Sequence, residues 1–346
     1  IFGTILVIIF ENRNPVKTIA WCMVLTFMPV IGLLLYILFG MDNRHRRQIK
    51  DEDLSRLKGI TEITQSDDIL SEMPVPQKPL ADMLRKMNKS FLLSGNDVEI
   101  ITDFQTMSDR LIADIEGARH HINMLFFKFE DDAAGRRIAD ALIRKSEEGV
   151  LVRLIYDDAG NLMVPRRFYR KLRKHGIQVR GFIRIFLPIL SRDYNSRNHR
   201  KVVVIDGRVG YMGGMNIAQR YAEGLKWGIW RDTHMRITGP AVSELQTSFL
   251  TDWKFTKGDE PDLAPMYPYN PPCGNTLMQI VTGGPMDKWN VMMQAYMTAI
   301  ASARHHAYLQ SPYFIPPEPI MKVLQNAALS GVDVRVMIPY RGDKGV

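Results

Sequence analysis

The chain has 346 residues, 46% of them apolar, and 45 Lys+Arg against 37 Asp+Glu give it a formal charge of +8. That length suits two compact units of globular composition. Its two cysteines, Cys22 and Cys273, lack metal-ligand spacing and exclude a disulfide framework, and the basic surplus suits an anionic partner, either nucleic acid or a negatively charged lipid surface.

The apolar residues concentrate at the start. Residues 18–40, TIAWCMVLTFMPVIGLLLYILFG, carry no charged side chain. About 23 residues at 1.5 Å each suffice to cross roughly 30 Å of hydrocarbon, so the segment predicts a transmembrane helix. A signal peptide would have a shorter apolar core. Residues 1–10 have the character of a preceding span, and the short polar link from Glu11 to Lys17 makes the two a hairpin. Arg44, Arg46, Arg47 and Lys50 follow the second span and outweigh Arg13 and Lys17, which places the body of the protein in the cytoplasm. The chain opens with Ile in an apolar run and stops after a strand-like segment, so it reads as a piece cut at both ends.

Residues 43–77 read as a charged, then Asp/Ser/Pro-rich linker. Residues 78–92 place Leu80, Met83, Leu84, Met87 and Phe91 at helical spacing, with Arg85, Lys86 and Lys89 on or near the other side. This helix packs on the core or lies at a lipid interface. Strand candidates follow at 120–129, 150–158 and 177–182. They alternate with helices at 132–149, with Ala133, Ile138, Ala141 and Leu142 inward, and at 168–176. Such alternation argues an α/β sheet with parallel pairs.

An internal repeat organises the rest. ARHH at 118–121 recurs at 303–306. Each copy follows an amphipathic helix and leads into an apolar strand, a helix and a Gly-Val turn (EEGVLVRLIYDD and LSGVDVRVMIPY). Two copies of one α/β unit are expected. The expected division is 1–42 for the membrane hairpin, 43–92 for linker and helix, 93–260 for the first unit and 261–346 for the start of the second.

The chemical signal lies in RNHRKVVVIDGRVGYMGGMN, residues 197–216, which reads His199-x-Lys201-x4-Asp206-x6-Gly213-Gly214-x-Asn216. VVVID reads as a strand of alternating exposure with His199 and Lys201 on one face at its start. An imidazole can attack phosphorus and an ammonium can hold the non-bridging oxygens. The Gly213-Gly214 turn would let backbone approach a phosphate, and Asn216 can add an N–H. This chemistry requires no metal and no cofactor.

The spaced string resembles the signature of the phospholipase D superfamily. Within it the chain is similar to the bacterial cardiolipin synthases, on the N-terminal PVIGLLLYILFG, the RN before the motif, WRDTHMRITGPAV (230–242) and QSPYFIPP (310–317). The resemblance implies tandem α/β sandwich units whose two motifs face each other. One His becomes the phosphatidyl-enzyme and the other serves as general acid and base. It further implies that Asp232, in WRDTH, orients the ring of His199, and that Asp206 is more structural than chemical. The implied partners are phospholipids, phosphatidylglycerol above all, and the bacterial inner membrane, with no nucleic acid; the oligomeric state is left open.

The chain departs from the family pattern in lacking a second motif. Gly149 and His199 are about 50 residues apart, so the partner of Gly331 would place a second His at about 381. Either a continuation of the chain, which the ragged ends favour, or a partner chain supplies it, and this piece alone is expected to be inactive. Phe186, Leu187, Ile189 and Leu190, around Pro188 just before the motif, are core residues or face acyl chains. The expected reaction joins two phosphatidylglycerols into cardiolipin and glycerol. A membrane phospholipase D hydrolase is the alternative, and a nuclease or a non-catalytic scaffold fits less well.

Overall fold

The computed structural model describes residues 2–10, 15–36, 40, 77–183, 197–226, 228–284 and 289–340. At the N-terminus lie α1 (Phe2–Phe10), α2 (Pro15–Phe27) and α3 (Pro29–Leu35). The single helix expected over 18–40 is broken. Met28 leaves helical geometry at φ −133°, ψ 69°, and Pro29, which lacks an N–H, begins the next helix. A Cβ on Gly32 would stand 2.7 Å from the Val24 carbonyl oxygen, so α3 folds back against α2 at a glycine. Ile8, Leu25 and Tyr36 are buried in the small cluster that joins the three helices. Among the described residues no helix is long and apolar enough to cross a membrane.

An eight-stranded mixed sheet forms the body. Its strands in chain order are β1 (Leu92–Ile101), β2 (His121–Phe126), β3 (Leu151–Tyr156), β4 (Gln178–Gly181), β5 (Lys201–Ile205), β6 (Val209–Gly213), β7 (His234–Thr238) and β8 (Thr276–Gln279). In space they run β4-β3-β2-β5-β6-β7-β1-β8. The pairs β2/β3 and β3/β4 are parallel, and the remaining neighbours are antiparallel. β8 lies past residue 261, yet it pairs with β1 and so completes the first sheet.

Helices cover both faces. On one lie α5 (Phe104–Gly117), α6 (Ala133–Glu147), α7 (Arg166–Lys174) and the short α8 (Gln219–Glu223), packed on Ile122, Met124, Phe126, Leu154, Val203 and Tyr211. On the other lies α9 (Val242–Phe255), whose Leu245, Phe249 and Trp253 meet Val202, Val204, Leu125 and Ile155. Each such side chain, fully withdrawn from water, contributes about 1.5–3 kcal/mol. This two-sided cover corrects the reading of β5: all five of its residues are buried, with no alternation, because helices lie over both faces of the sheet at β5. α6 starts where Asp132 caps it, and its first residue, Ala133, is exposed while Ala134 is buried. Ile138, Ala141 and Leu142 point inward as expected.

α4 (Lys78–Asn88) is shorter than expected. Lys89 turns left-handed at φ 51°, and Phe91 enters the approach to β1. Asn88 and Ser90 bond the backbone of Thr282 and Ile280, which fixes the helix to the segment after β8. Next come α10 (Val291–Ala301), β9 (His306–Gln310), α11 (Glu318–Leu329) and β10 (Asp333–Met337). The first ARHH leads into β2, which pairs in parallel with β3, and the second leads into β9, which pairs in parallel with β10. The segments 43–76, 184–196 and 285–288 lie outside the described residues, and with them the linker, the basic cluster and Phe186–Leu190.

Candidate active site

Register places the motif. β2 runs toward Phe126, which pairs with Lys201 at the start of β5. Val202 pairs with Met212, so Lys201 faces Gly213, and Gly213 pairs with His234 at the start of β7. Phe126, Lys201, Gly213 and His234 therefore form one row across four strands, at one end of the sheet. The loops after β2, β3 and β6, and the approach to β5, all emerge at that end.

His199 stands two residues before β5 and is exposed, while its neighbours are pinned. Asn198 donates its N–H to Asp157 Oδ2 at 2.9 Å and its amide to Asp252 Oδ2 at 2.9 Å. Arg200 Nη1 holds both oxygens of Asp252 at 2.7 and 2.6 Å, and its Nη2 donates to the Gly283 carbonyl at 2.9 Å. Asp252, on α9, is thus the anchor of the histidine loop. The His199 ring packs on Phe127, with centroids 4.5 Å apart.

Lys201 is buried, and its ammonium donates to the His199 carbonyl at 2.7 Å and lies 3.3 Å from His199 Nδ1. It also lies 5.3 Å from the centre of the Phe127 ring. Burial pulls the Lys201 pKa down to about 8, against the opposing pull of the Asp232 and Asp157 charges. Desolvation, then the Lys201 cation, lowers the His199 pKa to about 4, so its imidazole is neutral at pH 7.

The other motif residues divide. Asp206 lies five residues further along β5, roughly 16 Å from Lys201 at the usual rise per residue, and so at the opposite end of the sheet. With φ 53°, it turns its carboxylate onto the N–H groups of Arg119, His120 and His121 at 2.8, 2.8 and 2.9 Å. The first ARHH thus meets the motif aspartate through its backbone. Burial raises the Asp206 pKa, but the three bonds together bring it below the ordinary value.

Asn216 is buried at the site end, where its Oδ1 accepts from Lys128 N at 3.1 Å and its Nδ2 donates to Tyr221 OH at 2.8 Å. A Cβ on Gly213 would stand 2.5 Å from His234 Cα, and one on Gly214 would stand 2.0 Å from Asp232 Oδ1. The glycines admit the 232–234 segment. Asp232 accepts from Thr233 N at 2.7 Å, and no hydrogen bond joins it to His199 in this arrangement. Among the described residues no three His, Cys, Asp or Glu side chains converge as a metal site.

Sequence reading missed Phe127, Asp157, Asn198, Arg200, Asp252 and His234. Asn198 and Arg200 had a signal, since they flank His199 in the string; the others meet it only through tertiary packing. His234 is fully buried, and neither ring nitrogen has a partner among the described residues. Burial, then the Lys201 charge, pushes its pKa down to about 3.

The family model described as "Cardiolipin synthase, PLD-like domain" matches residues 111–253, which hold the whole string, and "Phospholipase_D-nuclease N-terminal" matches 1–40. A cardiolipin synthase of Listeria monocytogenes serotype 4a (strain HCC23) is 38% identical over 355 residues, covering 99% of this chain and 73% of the relative. The chain belongs to the cardiolipin synthase family. The major cardiolipin synthase ClsA of Bacillus subtilis (strain 168) is 37% identical, with 98% of this chain and 73% of that one aligned. Among solved structures, the phosphatidylserine synthase of Haemophilus influenzae Rd KW20 superposes at a TM-score of 0.53 with 15% identity, covering 76% of this chain and 66% of that one, a likeness of fold. The α/β architecture of this cardiolipin synthase family member is the phospholipase D-like one, with a mixed sheet.

Proposed function

We propose that His199 is the nucleophile of a phosphatidyl transfer that joins two phosphatidylglycerol molecules into cardiolipin and releases glycerol. Membership of the family supports the reaction. The observation that carries the assignment is a neutral, outward-facing imidazole 3.3 Å from a buried ammonium, on a loop pinned at both flanks.

In the first half-reaction His199 Nε2 attacks phosphorus. A P–N bond forms, the P–O bond to the terminal glycerol breaks, and that oxygen takes up a proton and leaves. In the second, a glycerol hydroxyl of another phosphatidylglycerol attacks the same phosphorus, gives up its proton, and the P–N bond breaks. Lys201 balances the negative oxygens throughout. The family pattern assigns the proton transfers to the imidazole of a second motif.

The tautomer matters. While Lys201 donates to Nδ1, the ring proton of neutral His199 sits on Nε2, where it blocks attack. An arriving phosphate draws the ammonium away, and Nδ1 then carries the proton. Asp232, whose charge already acts on Lys201, is the group assigned to receive that N–H. Asn216 borders the phosphate, Gly213 and Gly214 make room for Asp232 and His234, and Asp206 keeps β5 in place from the far end. The apolar helices α1 to α3 anchor the protein in the inner membrane with its body in the cytoplasm. The second ARHH unit begins the lobe that completes the site.

The test uses the full-length protein and labelled phosphatidylglycerol, with products separated by thin-layer chromatography. Cardiolipin with glycerol is expected, and phosphatidic acid alone would assign hydrolysis instead. Rapid quenching should trap label on His199. An unmodified ring in a protein that turns over would defeat the assignment.

A further inference from the structure

Two loops at the histidine end of the sheet expose large apolar side chains. The loop after β3 presents Leu162 and Met163, 48% and 95% exposed, and the loop between β6 and β7 presents Leu225 and Ile229, 39% and 87% exposed. Isolated exposed apolar residues are ordinary on a protein surface. These four are grouped at one end of the sheet, the end at which His199 lies.

Hydrogen bonds tie both loops to their surroundings. Asn161, immediately before Leu162, accepts from Phe129 N at 2.8 Å and donates to the carbonyls of Phe127 and Asp157, each at 2.7 Å. Gly160 lets this loop close on the Phe127 carbonyl, which a Cβ would approach to 2.4 Å. In the other loop, Leu225 and Gly228 exchange backbone hydrogen bonds at 2.9 and 3.0 Å, and Trp230 stacks on Tyr221 at 5.1 Å. The sequence adds a tryptophan, Trp227, between Leu225 and Ile229.

Positive charge surrounds these tips. α7, three residues past Met163, reads RRFYRKLRK and buries only Phe168, Tyr169 and Leu172. Lys171 is held by Asp140 and Arg173 by the Val179 carbonyl, but among the described residues no carboxylate pairs with Arg166, Arg167 or Arg170. Lys226 and Arg231 are exposed in the second loop. Apolar tips framed by unpaired cations match a surface with negative headgroups outside and hydrocarbon beneath.

We infer that the tips Leu162, Met163, Leu225 and Ile229 insert into an anionic bilayer while Arg166, Arg167, Arg170 and Lys226 contact its headgroups, so that the mouth of the site opens directly on the membrane. The inference rests on the phospholipid reading of that site. It places the sheet end-on, with Asp206 and its turn pointing away from the lipid.

The test uses the full chain with Cys22→Ser, Cys273→Ser and His199→Ala, carrying one cysteine at Met163, Ile229 or, on the opposite end, Arg208. Each is labelled with an environment-sensitive fluorophore and reconstituted into phosphatidylglycerol/phosphatidylcholine vesicles. Doxyl-labelled lipids should quench positions 163 and 229 and leave 208 unquenched. Equal quenching at all three, or none at 163 and 229, overturns the inference. Labels already shielded from aqueous quencher in detergent-free, lipid-free protein also overturn it, since protein then covers the patch. In the full-length protein that keeps His199, Met163→Ser with Ile229→Ser should raise the apparent KM for lipid in mixed micelles about tenfold and leave kcat within about twofold. Because quenching is read without turnover, loss of the His199 assignment leaves the quenching result standing, and the two ideas fail separately.

Discussion

His234 takes the space that a side chain on Gly213 would need. The two residues pair across β6 and β7, and a Cβ on Gly213 would meet His234 Nδ1 at 2.7 Å. The imidazole thus leans over the glycine toward Lys201, the next residue in the row. Its ring lies parallel to Phe126 with 6.5 Å between centroids, although three strand spacings, about 14 Å, separate their backbones. Both rings lean inward over the residues between them.

Gly213→Ala should therefore force β6 and β7 apart where the site is built. Overpacking of this kind costs about 1–3 kcal/mol. Turnover is expected to fall by more than tenfold, read by product formation and by a denaturant titration on the same preparation. Wild-type activity and stability together would contradict the close approach.

The pH profile should follow His199 and Lys201. The imidazole must be neutral, and its pKa of about 4 sets the acid limb of kcat/KM. The ammonium must be charged, and its pKa of about 8 sets the alkaline limb. The two groups are in contact, so the limbs belong to the pair. Lys201→Arg should lower the plateau and remove the alkaline limb, since guanidinium stays protonated. An unchanged limb near 8 would assign it to another group. For stability the sign is opposite to a favourable pair: folding lowers the Lys201 pKa, so stability should rise as pH increases from about 8 toward 10.5.

Asp252→Ala should release the histidine loop without touching the reacting atoms. It leaves Arg200 and Asn198 without their acceptor, a loss of about 3 kcal/mol for a largely buried pair. Asp252→Asn keeps an acceptor oxygen and should retain more activity. Equal kinetics for the two variants in folded protein would show that Asp252 does not position His199.

Asp206→Asn should act on stability. The carboxylate accepts three backbone N–H groups, and charge-assisted bonds contribute about 1.5–3 kcal/mol each at most. Its folded pKa is lowered, so this contribution is full above the unfolded value of about 3.9 and fades as pH falls through the folded one. The melting temperature of Asp206→Asn should converge on that of the parent in acid. Convergence absent, with kcat abolished at neutral pH in folded protein, would make Asp206 a chemical residue.

Local pattern made much of this legible. Hydrophobic period and Gly-Val turns placed β2, α6, β3, α7 and β4, and the ARHH repeat announced β10 and a strand before it at LQSPYFI (309–315), where β9 instead covers His306–Gln310. What escaped was set by contacts between distant segments. The fold-back at Met28 depends on Gly32 meeting Val24, which an apolar run with one proline does not reveal. The glycines after β6 read as a phosphate turn, but register fills their space with Asp232 and His234. Asp252 carries no motif; it anchors the site because α9 crosses the start of β5.

One carboxylate joins the loop after β3 to the histidine loop before β5. Asp157 accepts from Gly160 N through Oδ1 at 3.0 Å and from Asn198 N through Oδ2 at 2.9 Å. The loop that carries the Leu162–Met163 tip is therefore tied through a carboxylate to the residue beside the nucleophile. Asp157 is in this way a shared anchor, so Asp157→Ala should unsettle the Leu162–Met163 tip and the His199 loop together, read as a fall in both lipid binding and kcat.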